Sequence, residues 1–229
     1  MATDSTNSFW IKRWQDGDIG WHHQEINPHL LSHWSRLDIP SGSTLFVPLC
    51  GKSLDMVWLA QQGFSVVGVE ISQKAVEEFF AERSLVPERT KSAAFDIFQA
   101  NVYRLLCGDI FRLEPEHIQG VRAVYDRASL VALNQKQRRH YADLMTTMLP
   151  SGCSMLLVAM DYPETEMQGP PYSVPESEVV ELFGDGFSIA KLHSLNLLQD
   201  TERYTGKGLS RLSEHIYKLE RKESTRLRV

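Results

Sequence analysis

The feature that most constrains this chain is an alternation that begins at Ser43, where short apolar runs trade places with amphipathic ones. STLFVPLC is followed by SLDMVWLAQQG, then SVVGVEIS, then QKAVEEFFAERS. Short apolar runs bounded by turn residues read as buried strands, and the segments between them carry apolar residues at helical spacing. Strand and helix in alternation build a parallel sheet covered by helices. NVYRLLCGD and VRAVYDRAS continue as strands, NQKQRRHYADLMTTML as a helix, CSMLLVAMDY as a buried strand and PESEVVELFG as a helix opened by Pro175. The rule then changes: FSIAKLHSLNLL and SEHIYKLER follow one another with only a polar loop between them, so the sheet is expected to end in an antiparallel pair. The expected fold is α/β, with a doubly wound, mostly parallel sheet and an antiparallel C-terminal strand.

With 229 residues, 42% of them hydrophobic, the chain can bury one sizeable core, and residues 1–229 are read as one domain. Residues 1–8 are polar and expected as a flexible tail. Residues 9–40, rich in tryptophan and apolar at roughly helical spacing, are expected as a helical cap over the site. Leu85 to Ala100 and Tyr162 to Ser173 lack a clear period and read as loops, placed where lids can form.

Charge and cysteine content narrow the partners. A formal charge of -5 argues against a dedicated nucleic-acid binder, which needs a basic stripe to neutralise phosphates. No apolar run approaches the ~20 residues of a membrane helix, and MATDSTNS lacks an apolar signal core, so a cytoplasmic chain is expected. Cys50, Cys107 and Cys153 lie far apart with no CxxC pair. His22 and His23 are adjacent, with no further His or Cys at ligand spacing, so no metal is expected.

The stretch FVPLCGKSLDM, Phe46 to Met56, resembles half of a phosphate-binding loop. The glycine that must open such a loop falls at Phe46, so its Gly-Lys-Ser has no backbone cradle. The dinucleotide fingerprint also fails, because no second or third glycine follows Gly51. What remains is one glycine turn after the first strand and an acid, Glu70, at the end of the second, where a ribose diol is held. In the third strand's CGDIF, Asp109 can accept from an adenine amino group while Ile110 lines the ring. A ribose without a pyrophosphate points to an adenosyl cofactor. Lys52 reads as a solvated or helix-start lysine, and Arg138 with Arg139 as a wet helix face.

These residues resemble the thiopurine S-methyltransferase family of S-adenosylmethionine-dependent methyltransferases. The resemblance is carried by FVPLCGKSLDMVWLAQQGFSVVGVEIS, VYDRASLVALN, GPPYSVP and WQDGDIGWHHQE, in order over nearly the whole chain. It implies a Rossmann-like class I methyltransferase fold with a seven-stranded sheet. It further implies S-adenosylmethionine as cofactor, S-adenosylhomocysteine as product, and Trp14, Leu49, Gly51, Glu70, Asp109, Ile110 and Arg127 on the cofactor side. Arg127 and Arg203 match the arginines on the acceptor side, and Trp21 stands where the family usually has phenylalanine.

The implied reaction is methylation of small aromatic or heterocyclic thiols, as in detoxification, by a protein expected to be monomeric. Methyl transfer to a thiol is an in-line displacement dominated by orientation. Thiolates attack, and a nearby arginine favours the anion, so no dedicated general base is assigned. Two other readings compete with it: methylation of selenium or tellurium compounds, and a binding module that has lost transfer.

Overall fold

The computed structural model describes residues 2–198 and 208–223. The chain clusters into two compact units, Met1–Leu31 with Ile39–Val121 and Ser32–Asp38 with Arg122–Val229.

The first unit opens with α1 (Ala2–Asp16), followed by α2 (Pro28–His33), whose last residues pass into the second unit. Residues 2–8, expected as a flexible tail, are thus the first turns of α1. Strand β1 (Thr44–Val47) leads to α3 (Leu54–Gln61), β2 (Ser65–Glu70) and α4 (Gln73–Ala81). Both helices start where a serine caps them: the Ser53 side chain accepts from Asp55 N and the Ser72 side chain from Ala75 N. On α4, Ala75, Val76, Phe79 and Phe80 form the buried face. They recur at helical spacing, which is why this amphipathic segment is legible in the sequence.

The segment from Leu85 to Ala100, expected as a loop, instead forms β3 (Glu88–Lys91) and β4 (Asp96–Ala100), an antiparallel hairpin continued by β5 (Tyr103–Cys107). Every residue of β3 is exposed and three of its four are charged. Such an edge strand has no apolar alternation to read, and its charges discourage pairing with other chains. In this unit the strands run β3-β4-β5-β2-β1, and β5, β2 and β1 are parallel. Gly68 in β2 sits where an added Cβ would be 2.7 Å from both Cys50 Sγ and a Leu105 methyl, so close packing requires glycine there.

In the second unit β6 (Val121–Arg127), α5 (Gln135–Met148), β7 (Ser154–Asp161), α6 (Glu176–Phe183), β8 (Phe187–Asn196) and β9 (Ser213–Arg221) follow in order. β6 and β7 are parallel, and β7-β9-β8 are antiparallel, the ending expected from the sequence. All eight residues of β7 are buried, matching its near-continuous apolar run. Seven of the described strands are those of the expected sheet; the β3–β4 hairpin is additional.

Residues 162–173, expected as a loop, have no regular structure and are pinned at both ends. Tyr162 N donates to Ser173 Oγ at 3.0 Å, the Tyr162 hydroxyl to Pro171 O at 2.6 Å and Tyr172 N to Val131 O at 2.7 Å. Arg138, read from sequence as part of a wet face, is 3% exposed and forks onto Glu178 of α6 at 2.7 and 3.0 Å. Arg139 is the solvent-facing member of the pair, bonded to Glu181. A run of two arginines cannot reveal which one its helix turns inward.

Candidate functional site

Three parallel strands of the first unit end side by side, and their carboxyl ends carry the expected residues. β1 runs out into Leu49 and Gly51, β2 ends at Glu70, and β5 is followed by Asp109 and Ile110. In open α/β sheets this is where ligands are bound.

Glu70 is the centre of the arrangement. Gly51 N–H donates to its Oε2 at 2.9 Å and Ser72 N–H to its Oε1 at 2.8 Å, so the loops after β1 and β2 meet on one carboxylate. Each oxygen takes at least one backbone donor, and the carboxylate's about four lone-pair sites leave room for a further hydroxyl. The side chain is 5% exposed. Burial pushes its pKa up to about 7, although the N–H groups of Ser72, Gly51 and Ile71 favour the anion.

The loop after β1 is held in an unusual backbone. Leu49 has φ +46° and Gly51 φ +52°, the left-handed region that costs a side chain about 1 kcal/mol or more. At Gly51 an added Cβ would also lie 3.0 Å from Trp14 Cζ2. The glycine therefore serves the close approach of the Trp14 indole, a contact the sequence reading had not placed there. Trp14 itself is buried, and Trp21 meets it edge to face with ring centroids 6.0 Å apart. Trp10 also meets Trp21 edge to face at 5.0 Å, and the Arg13 guanidinium lies 4.9 Å from the Trp21 ring.

Asp109 is fixed at both oxygens. Phe111 N–H donates to Oδ1 at 2.9 Å, capping a short 3-10 turn that contains the buried Ile110. The amide of Asn7, on α1, donates to Oδ2 at 3.0 Å. Asn7 was absent from the sequence reading, yet it stands at helical spacing from Trp10 and Trp14, so the three share one face of α1. That periodicity was the available signal, and a tail reading of residues 1–8 concealed it.

Lys52 is not a solvated lysine. It is 9% exposed and its Nζ lies 2.7 Å from Glu78 Oε2 and 2.5 Å from Glu82 Oε1.

Trp14, Trp21, Leu49, Gly51, Glu70, Asp109 and Ile110 thus share one unit. Arg127 ends β6 in the other unit and is half-buried; Arg203 lies outside the described residues. The second unit has its own buried acid, Asp126, next to Arg127. It accepts from the Tyr141 hydroxyl at 2.5 Å.

The chain is similar to known proteins over nearly its whole length. A family model described as Thiopurine S-methyltransferase matches residues 5–222. The thiopurine S-methyltransferase of Pseudomonas fluorescens (strain SBW25) is 44% identical over 211 residues, 92% of this chain and 97% of that protein. That of Azotobacter vinelandii (strain DJ / ATCC BAA-1303) is 42% identical over 214 residues, 93% of this chain and 98% of that protein. Among solved structures, the N-methyltransferase NodS from Bradyrhizobium japonicum WM9 in complex with S-adenosyl-L-homocysteine superposes with a TM-score of 0.64. It covers 95% of this chain and 100% of its own at 10% identity, a likeness of fold alone. The fold is the Rossmann-like fold of class I methyltransferases. Matched over nearly its whole length, the chain belongs to the thiopurine S-methyltransferase family of S-adenosylmethionine-dependent methyltransferases.

Proposed function

We propose that this methyltransferase acts on small aromatic or heterocyclic thiols of the thiopurine type. The observation that carries the reading is Glu70, a buried carboxylate at the end of β2 held by one N–H from each of two loops. A ribose diol offers two hydroxyl donors of the kind its remaining lone pairs accept. When bound, the cofactor would supply a methyl carbon on a sulfonium sulfur, to be taken by an acceptor sulfur in line, with S-adenosylhomocysteine as the leaving group.

On this reading the chain's own residues bind and orient. Glu70 anchors the ribose, Asp109 accepts from the adenine amino group, and Ile110 lines the ring. Leu49, Gly51 and Trp14 shape the methionine end, and the indole of Trp21 is an apolar wall for a flat acceptor. Arg127 and Arg203 attract the acceptor anion and turn its sulfur toward the methyl group, a task suited to a planar, permanently charged guanidinium. Aromatic thiols ionise readily beside such a charge, and no residue has to remove a proton during transfer.

The test is a transfer assay with methyl-labelled S-adenosylmethionine on 6-mercaptopurine, thiophenol, benzeneselenol, an aromatic amine and a phenol. Label on the two thiols, with the amine and phenol unlabelled, is expected. Methylation of the amine or phenol with none on the thiols would overturn the acceptor class. Turnover on the selenol that far exceeds turnover on the matched thiol would favour metalloid chemistry instead.

A further inference from the structure

The loop after β1 has a support of buried charge. Lys52 directly follows Gly51, its side chain is 11% exposed, and α4 presents Glu78 and Glu82 to its Nζ at 2.7 and 2.5 Å. Burial disfavours the ammonium charge, and the hydrogen bonds it donates to the two carboxylates more than offset it, leaving the lysine pKa raised. Arg83, at the end of the same helix, reaches the Lys52 carbonyl at 3.5 Å.

The same network extends to α1. Glu78 Oε1 lies 3.8 Å from Lys74 Nζ, and Lys74 donates to the carbonyl of Gln15 at 3.2 Å, one residue past Trp14. Glu78 therefore links the loop that carries Leu49 and Gly51 to the end of the helix that carries Trp14. Both attachments converge where Trp14 meets Gly51 and where Gly51 N–H meets Glu70.

A nearly buried lysine is a poor source of net stability, because desolvation consumes much of the Coulomb gain. What the arrangement supplies is position. Leu49 sits at φ +46° against its own preference, and the loop's nearby backbone bonds are few: Cys50 N to Val69 O at 2.9 Å and Ser53 N to Cys50 O at 3.2 Å.

We infer that Lys52, gripped by Glu78 and Glu82, is a positioning residue for the cofactor: it sets the Leu49–Gly51 turn against Glu70 and, through Glu78 and Lys74, against Trp14. It acts through these groups and need not touch the ligand. The inference rests on the reading of the Glu70 site as the S-adenosylmethionine site.

The experiment compares the full chain with Lys52→Met, Lys52→Arg and the double variant Glu78→Gln/Glu82→Gln. It measures S-adenosylhomocysteine affinity by calorimetry, and KM separately for S-adenosylmethionine and 6-mercaptopurine. Lys52→Met and the double variant are expected to weaken S-adenosylhomocysteine binding about tenfold and to raise the S-adenosylmethionine KM in step. The 6-mercaptopurine KM should stay within about twofold, and Lys52→Arg should recover most of the affinity. The double variant leaves every backbone bond of the loop in place, so it decides the matter if Lys52→Met does not fold. Unchanged affinity in the double variant, or an equal rise in both KM values with a lowered Tm, would overturn the inference and make Lys52 a packing residue. A parent protein that binds no S-adenosylhomocysteine would instead overturn the cofactor reading on which it rests.

Discussion

Glu70 in the first unit and Asp126 in the second are buried acids at the ends of parallel strands, and they differ in what holds them. Glu70 ends β2 and is held by main-chain N–H groups from two loops. Asp126 is the penultimate residue of β6, has no exposed surface, and accepts from the Tyr141 hydroxyl of α5 at 2.5 Å, with Ser129 and the Leu130 N–H also favouring its anion. Burial raises both pKa values, Glu70 to about 7 and Asp126 to about 6, against hydrogen bonds that lower them. A shifted pKa alone therefore does not separate a ligand-binding acid from a structural one. Their partners differ: Glu70 accepts from the loops after β1 and β2, whereas Asp126 also accepts from the Tyr141 hydroxyl of α5.

Glu70→Ala should break the comparison most directly. Losing both ribose contacts is expected to weaken S-adenosylhomocysteine binding by about 1 to 3 kcal/mol. Calorimetry on a variant confirmed as folded measures this, and unchanged affinity would remove Glu70 from the site. Tyr141→Phe should do the opposite, lowering stability by about 1 to 2 kcal/mol in denaturant melts while leaving S-adenosylhomocysteine affinity nearly intact. If affinity falls as far as in Glu70→Ala, the two acids are not different in kind.

pH sharpens the same contrast. Hydroxyl donors favour the ionised Glu70, so S-adenosylhomocysteine affinity should fall roughly tenfold between about pH 8 and about pH 6, with proton uptake or release visible in buffers of different ionisation enthalpy. The stability term has the reverse sign. A carboxyl whose pKa is raised on folding favours the folded state fully below its ordinary value of 4.5, and that contribution is lost as pH rises through about 7. Asp126 follows the same course between 3.8 and about 6.

Two smaller effects probe the supports of the Glu70 side. Gly51→Ala should cost about 1 kcal/mol of stability from its φ of +52°, and displacement of the Trp14 indole should weaken cofactor binding in the same calorimetric assay. Asn7→Ala should weaken S-adenosylhomocysteine binding by about 0.5 to 1 kcal/mol, because Asp109 Oδ2 loses its fixed donor. An Asn7→Ala protein with parental affinity would leave Asp109 oriented by Phe111 N–H alone.

Much of this is legible in the sequence. The apolar runs from Thr44 onward gave the strands their order, because a buried strand must be apolar over its length and a covering helix apolar on one face. The single glycine of PLCGK excluded phosphate loops, and Glu70 and Asp109 could be named from their place at strand ends. The β3–β4 hairpin was illegible because ERTK is exposed and charged, so no period marks it as a strand. The burial of Lys52 and Arg138 is illegible for a shared reason. Their acid partners lie 26 and 40 residues away in the chain, and only packing brings them within reach.

The sequence by itself determined the alternation of strand and helix, the absence of a phosphate cradle and the acids at the strand ends, since each follows from local residue chemistry. Tertiary structure alone decided that Glu70 is satisfied by Gly51 and Ser72, that Trp14 fills the space over Gly51, and that Lys52 is buried between two glutamates. Each of these joins residues distant in the chain. Whether a buried charge or a left-handed turn is stable depends on groups that only folding places beside it.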